Sequence, residues 1–401
     1  MSSSDGADGM ASGRANSVRR TEVAVVGAGI GGLTAAVALR RLGVGVRIYE
    51  RATELRAAGS ALSVMGNAIS ALRSLDIDLG LEKRGQVIET FSIRDTRGEV
   101  IRDLPIRAVT ERLGVPSVCV TRADLQEALL EGIGDVPLTL GAALSAYEVG
   151  EAGVTLRFED GSEARADAVI GADGFNSAVR GQLAGPEESR DGGYICWLAV
   201  VPFEHPALRP GYVGHYWGTG RRFGLVDVGH GRYYWWGTKN MPAARSYGWD
   251  GGRDEIADTY AGWADEVTEI IRATPAEAVL AVPSRDRAFL ERWGEGPVTL
   301  LGDAAHPMLT SLGQGSAMAV EDAVALARRL AAAPGDPAAA FRAYEDERRE
   351  RTREMVAASR AVSELEQLAD PGECALRDER LRLTGEEELE RQQEAALRWP
   401  G

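Results

Sequence analysis

Residues 21 to 50 carry three apolar patterns in succession. Val23 to Val26 is a continuous apolar run, as expected of a strand covered on both faces of a parallel sheet. Ala35, Ala36, Val37, Leu39 and Leu42 follow at helical spacing up to Gly43, and Val46 to Glu50 predicts a second strand ending in an acid. Further on, Arg51 to Leu62 reads as a loop entering a short strand, and Ile69, Leu72 and Leu75 predict a helix over 67–75. Alternation over 87–105 around Arg97-Gly98 predicts a hairpin. Thr121, with Asp124 in the first turn and Leu125, Ala128 and Leu129 on one face, predicts a capped helix. Residues 137 to 170 predict two or three strands, with a turn at Glu159 to Ser162 and a buried end at Ala168 to Ile170.

In the second half, segments from about 190 to 240 are patterned as strands with Gly-rich turns, and 254–273 predicts one amphipathic helix. Pro297 to Leu301 predicts another buried strand, followed by a loop and a helix from about Ser316 through Leu330. Pro334 to Pro337 breaks the chain before a charged helix. In it Glu345 to Glu354 mixes both signs at helical spacing and predicts a solvated face. Residues 363 to 401 are acidic and helix-prone, with an interruption at Asp370-Pro371-Gly372, and read as a segment that docks on the body or mediates contacts.

Three of these strands run directly into Gly-rich turns. After the first come Gly27, Gly29 and Gly32, spaced G-x-G-x-x-G, with a helix behind them and Glu50 closing the unit. Such glycines let the backbone approach a pyrophosphate, the helix N-terminus supplies N–H groups, and the acid accepts from a ribose hydroxyl. The pattern therefore predicts dinucleotide binding. The second turn is Gly171-Ala172-Asp173-Gly174, followed by Ser177, Val179 and Arg180; the third is Gly302-Asp303-Ala304-Ala305-His306-Pro307, leading to Leu312-Gly313-Gln314-Gly315.

Composition narrows the function. The 401 residues allow two to three domains, and the net charge of -15, spread along the chain, argues against nucleic acid or an anionic membrane surface as partner. Cys119, Cys196 and Cys374 are far apart and odd in number, so neither a disulfide framework nor a metal site is expected, and a cytoplasmic setting is. Residues 1 to 20 read as a disordered tail without the apolar core of a signal peptide, and no run suggests a membrane span. No Gly-x-Ser-x-Gly follows a strand, which excludes serine hydrolase chemistry of that type. Four of eight tryptophans (Trp197, Trp217, Trp235, Trp236) and five of ten tyrosines (Tyr194, Tyr212, Tyr216, Tyr233, Tyr234) fall between 190 and 240. They mark a second, sheet-rich region, as a wall for a flat apolar ligand or as a plain aromatic core.

Together the three motifs, in this order over about residues 21 to 360, resemble the FAD-dependent single-component aromatic hydroxylases of the p-hydroxybenzoate hydroxylase fold. The look is closest to the branch with FAD-dependent urate hydroxylase, salicylate hydroxylase and zeaxanthin epoxidase. The resemblance implies an α/β fold: a Rossmann-like FAD-binding domain (21–85, 106–180, 296–362) with an interleaved, mostly antiparallel substrate domain (86–105, 181–295). By the same resemblance, Gly27, Gly29 and Gly32 hold the ADP part of FAD, Glu50 the adenosine ribose with Arg51 beside it, and Arg122 lies along the cofactor. Asp173 and Gly174 match a motif associated with FAD and the nicotinamide cofactor. Asp303 matches the acid on the ribityl chain, and Pro307 with Leu312, Gly313, Gln314 and Gly315 the loop beside the isoalloxazine. Gly66 stands where many members have proline, and Ser316-Ala317-Met318 replaces the commoner residues after Gly-Gln-Gly; both bear on pocket shape. The absence of a second G-x-G-x-x-G suits transient use of NAD(P)H. The segments that mark flavin halogenases and isoprenoid reductases are not found.

The implied cycle has NAD(P)H reduce FAD, O2 add to give a C4a-hydroperoxide, and the distal oxygen pass to an aromatic or polycyclic substrate. Epoxidation of an alkene, or flavin and ligand binding without turnover, are the alternatives, and a monomer or homodimer is expected. Candidate catalytic residues on the aromatic sheet are Arg222, Tyr216, His215 and Tyr234, with His230 behind them. Arg222 falls where urate-hydroxylase-type relatives carry an arginine near substrate, or else caps a hairpin with Arg221. His306 reads as structural, and His205 is given no role.

Overall fold

The computed structural model describes residues 21–55 and 59–401. The expected N-terminal tail, residues 1–20, lies outside the described residues. Glu22–Val26 forms the centre of a six-stranded sheet, flanked by Gly45–Glu50 on one side and Ala168–Gly171 on the other, all parallel. Val298–Leu300 pairs in parallel with Ala168–Gly171 beyond it. The helix Ile30–Arg41 covers this sheet with its Ala- and Leu-rich face wholly buried and packs on the long helix Gly315–Ala332, buried from Ala317 to Ala327. These apolar runs read as continuous because both faces of the sheet are covered.

Register decides where the turns go. Val26 is level with Gly171, and Gly171 with Leu300, so all three Gly-rich turns leave the same edge of the sheet. The chain passes from the central strand to one side and returns on the other, which makes this edge a topological switch point, where α/β folds place ligands.

A second, seven-stranded sheet stands above that edge. Its order begins with Leu280–Asp286, Arg190–Pro202, Arg232–Asn240, Arg221–Asp227 and Tyr212–Trp217. The expected hairpin, Thr90–Asp95 with Val100–Leu104, completes it at the other edge, joined in parallel to Tyr212–Trp217. Thr121 caps the helix Arg122–Ile133 by accepting from Asp124 N, as its sequence predicts.

Several expectations are corrected. Residues 138 to 171 hold five short strands rather than two or three: Leu138–Leu140, Leu144–Gly150, Gly153–Phe158, Glu163–Ala166 and Ala168–Gly171. The amphipathic stretch 254–273 is two helices, Arg253–Thr259 and Asp265–Ala273. Gly262, at φ +77°, reverses the chain between them, and Tyr260 turns inward to donate to the backbone carbonyls of Arg222 and Thr238. The charged helix runs from Pro337 to Glu366, and Glu345 to Glu354 is not simply a solvated face: Glu345, Arg348 and Thr352 are buried. The C-terminal segment forms Pro371–Leu383 and Glu386–Leu397 and docks on the body. Arg112 pairs with Glu390 and Glu394, and Leu397 enters an apolar cluster with Ile88, Ile106 and Val213.

Candidate active site

The first turn is a cradle of backbone. Gly27 turns at φ +105°, and a Cβ there would collide with the carbonyl of Ala172 in the neighbouring turn. Gly32 is closed to a side chain by the Gly27 carbonyl, whereas Gly29 faces open space at the N-terminus of the helix Ile30–Arg41. That opening, with free helix N–H groups and the positive end of a dipole, fits a pyrophosphate. Glu50 is fixed beside it by the N–H groups of Ala28, at 2.7 Å, and Ala52, at 2.9 Å, which leaves carboxylate lone pairs free. Arg51 follows, exposed.

Asp173 is spent locally. It accepts from the Ser177 hydroxyl at 2.5 Å and from Ala178 N at 2.7 Å, and so holds the start of the helix Ala178–Ala184. Burial raises its pKa against the pull of these hydrogen bonds. Gly174 makes the turn at φ +77°. Arg180, buried, donates to the carbonyls of Ala304 at 3.1 Å and Ala305 at 2.8 Å, and thereby ties the second turn to the third.

Asp303 opens onto the cleft between the sheets. Burial desolvates the carboxyl and raises its pKa, while His306 and Arg122 act in the opposite sense. Arg122 is exposed at the start of its helix, and its guanidinium has no hydrogen-bond or ion-pair partner among the described residues. Pro307 is buried and Leu312 half-buried; Gly313 turns at φ +62° under Met65, and Gly315 opens the helix Gly315–Ala332. A Cβ on Gly315 would lie 4.0 Å from Asp303 Oδ1, so the helix N-terminus and this acid share one end of the cleft. An exposed acid beside bare N–H groups suits a polyhydroxyl chain joined to a ring that gains negative charge.

Beneath this loop lies an ionic scaffold that sequence reading missed. Arg348 is 1% exposed and pairs with Glu321 at 2.6 Å and Asp322 at 2.8 Å, both fully buried. Asp322 also meets His306 Nε2 at 2.6 Å and Gly302 N at 3.2 Å. Burial works against the charge on Asp322, but His306 and Arg348 outweigh it and hold its pKa below the ordinary carboxylate range. Asn67 donates to Glu321 at 2.6 Å and to Gln314 at 3.0 Å. The two halves of the loop, 302–307 and 313–315, are thus anchored to one buried network. Two adjacent acids inside the apolar run Ala317 to Ala327 were the available signal, because buried acids require a counter-ion.

Across the cleft stands one face of the seven-stranded sheet. Cys196, Leu198, Val200, His215, Tyr234 and Trp236 all point to it and are half-exposed, while their odd–even neighbours on the other face are buried. His215 is held edge-on by Phe91 and Trp236, with ring centroids at 4.6 Å and 4.9 Å. Neither its ring nitrogens nor the Tyr234 hydroxyl has a hydrogen-bond partner among the described residues. Burial, and then the charge of Arg222, pushes the His215 pKa down to about 3, and burial raises that of Tyr234, so both are neutral at pH 7.

Of the four residues expected to be catalytic, the fold brings together His215, Tyr234 and, at the chamber's end, Arg222. Arg222 is not a hairpin cap. It is 2% exposed, paired with Glu366, and donates to Ser311, in the loop Pro307–Gly315, at 3.2 Å. Tyr216 is corrected: it points to the opposite face and donates to Glu266 at 2.6 Å beneath the helices, away from the cleft. His230, at φ +58°, is exposed at a hairpin tip. His306 belongs to the buried scaffold.

The profile of the FAD binding domain family matches residues 20–359. The chain belongs to that family. FAD is its cofactor, and it is an FAD-dependent monooxygenase. Aurachin C monooxygenase/isomerase of Stigmatella aurantiaca is 36% identical over 374 residues, 92% of this chain and 95% of that protein. An FAD-dependent urate hydroxylase of Klebsiella pneumoniae subsp. pneumoniae is 35% identical over 342 residues, 84% of this chain and 88% of the other. The crystal structure of Klebsiella pneumoniae HpxO complexed with FAD and uric acid superposes with a TM-score of 0.87 at 31% identity, covering 94% of this chain and 96% of that one. No helix among the described residues is long and apolar enough to cross a membrane.

Proposed function

We propose that this monooxygenase inserts one oxygen atom of O2 into a small aromatic or polycyclic substrate held between the Cys196–Trp236 face and the loop Pro307–Gly315. The balance is substrate C–H, O2, NAD(P)H and a proton giving C–OH, water and NAD(P)+. One observation carries the reading: a half-exposed aromatic wall bearing two unpartnered polar tips, His215 and Tyr234, faces the loop beside Asp303. The relatives named above for aurachin C and urate support an aromatic substrate.

When bound, FAD supplies electron transfer from NAD(P)H and the activation of O2. The chain's own residues do the rest. Gly27, Gly29 and Gly32 admit the pyrophosphate, Glu50 accepts from the ribose with Arg51 beside it, and Arg122 lies along the cofactor. Asp303 accepts from the ribityl hydroxyls. The N–H groups of Leu312, Gln314 and Gly315 would donate to negative charge on the ring, with Pro307 beside it, while the Gly313 N–H is already donated to the Thr310 carbonyl. Asp173 and Gly174 shape the turn nearest the nicotinamide approach. Trp236, Leu198 and Val200 exclude water and stack the substrate, while neutral His215 and Tyr234 exchange hydrogen bonds with its polar edge. We assign 21–85, 106–180 and 296–362 to the cofactor domain and 86–105 and 181–295 to the substrate domain. The three free thiols fit a cytoplasmic setting.

The test is the visible spectrum of the FAD-supplemented, desalted protein before and after NADPH in air, alone and with aromatic compounds. Retained flavin whose bleaching quickens with an aromatic compound, and a product that carries 18O from labelled O2, are expected. Retained flavin indifferent to NADPH and NADH across a broad panel would sink the catalytic reading in favour of a binding protein.

A further inference from the structure

The charge of the substrate is set by how the chamber's cations are paired. Arg222 shares its sheet face with Trp236, His215 and Thr238. Its guanidinium lies 4.7 Å from the centroid of Trp236 and 5.9 Å from that of Tyr194, and its charge is met by Glu366, 2% exposed, from the last turn of the helix Pro337–Glu366. Burial opposes the charge on Arg222, but Glu366 more than compensates and keeps it protonated. Other arginines near this face also have acids, although Arg190 and Arg360 share the single carboxylate of Asp286. Arg377 is on Asp378 at 2.8 Å, Arg190 on Asp286 at 2.8 Å and Arg232 on Asp124 at 2.9 Å. Arg122, whose guanidinium has no acidic partner, lies within electrostatic reach of both Asp303 and Tyr234.

A carboxylate or urate-like anion entering at Arg222 would lose its water and find that guanidinium already neutralised by Glu366. Desolvation without a counter-charge is strongly unfavourable. An uncharged ring loses little and gains the wall of Trp236, Leu198 and Val200, together with the neutral polar tips of His215 and Tyr234.

We propose that Glu366 is a specificity-determining residue: by neutralising Arg222 from the C-terminal side of the fold, it reserves the chamber for an uncharged aromatic or heteroaromatic substrate with a hydrogen-bonding edge. The proposal rests on the monooxygenase reading of the same chamber.

The experiment measures binding, not turnover, on the FAD-loaded enzyme, by flavin spectral perturbation and calorimetry. Matched probes differ only in charge: 4-hydroxybenzamide against 4-hydroxybenzoate, and indole-2-carboxamide against indole-2-carboxylate. Wild type should bind each neutral member at least about tenfold more tightly, a decade in Kd. Glu366→Gln should move that ratio by about tenfold or more towards the anion, because a bare guanidinium remains. Glu366→Asp should keep the wild-type preference. The double change Arg222→Met with Glu366→Met removes both charges and should also keep it, and it serves as the decisive variant should Glu366→Gln fail to fold or to retain flavin.

Tighter binding of the anions by wild type, an unchanged ratio in folded Glu366→Gln, an anion preference in the double variant, or binding of neither class at millimolar concentration would each overturn the proposal. A chamber that shows the expected ratios while no compound stimulates NADPH oxidation would instead count against the monooxygenase reading alone.

Discussion

The two faces of the seven-stranded sheet come from alternate residues of the same strands and are equally aromatic, yet they do different work. On the face beneath the helices Arg253–Thr259 and Asp265–Ala273, Tyr216, Trp197, Phe223 and Trp235 are fully buried, and the polar tips are consumed except for Trp197 Nε1, which has no hydrogen-bond partner among the described residues. Tyr212 and Tyr216 share a hydrogen bond at 2.8 Å, Tyr216 reaches Glu266, and Trp235 donates to Thr274 at 2.8 Å. On the face towards the loop Pro307–Gly315, Tyr234, Trp236 and His215 are half-exposed, and the tips of Tyr234 and His215 remain unspent. Aromatic content alone therefore does not separate core from pocket. The separating observation is exposure: the unpartnered Trp197 Nε1 is sealed inside the closed face, whereas the unpartnered tips of His215 and Tyr234 stand on half-exposed residues that a ligand or water can reach.

Substitutions can break or sharpen this contrast. The greatest loss is expected at Arg222, a fully buried charge on the open face. Arg222→Ala leaves Glu366 without its counter-ion and should cost roughly 3 to 5 kcal/mol in urea unfolding. A cost below about 1 kcal/mol, the worth of an exposed pair, would mean that the pair is effectively solvated and that the chamber's end is open.

His215 comes next through pH. Its folded pKa of about 3 lies below the ordinary 6.5, so between these values the unfolded chain binds more protons. Stability therefore falls as pH drops from 6.5 towards 3, and by pH 5 this one group should account for about 2 kcal/mol. His215→Gln should flatten the dependence of the urea midpoint between pH 7 and pH 5 by that amount. Equal slopes in the two proteins would show that His215 is more solvated than its neighbours imply.

Tyr216→Phe, on the closed face, should cost about 1 to 2 kcal/mol by leaving Glu266 short of a donor, with substrate KM unchanged. A raised KM with intact stability would reverse the assignment of faces. Tyr234→Phe, its counterpart on the open face, should shift stability by no more than about 0.5 kcal/mol. Its effect should appear instead in KM and in the fraction of NADPH oxidised that yields product.

What the chain announced by itself was local. The buried strand, Gly27-x-Gly29-x-x-Gly32, the helix behind it and Glu50 could be read directly, as could the Thr121 cap and the Thr90–Leu104 hairpin. Each depends on backbone conformations and hydrogen bonds closed within a few residues, and three such turns in order were enough to point to FAD. Tertiary structure decided the rest. Tyr216 and Tyr234 look alike in sequence, and only strand register turns one inward and the other to the cleft. Glu345 and Arg348 look like a solvated face until Glu321 and Asp322 are brought against Arg348 from a neighbouring helix. Glu366 lies 144 residues from the arginine it neutralises. A buried charge is stable only where the fold supplies its opposite, and such pairings leave no periodic trace along the chain.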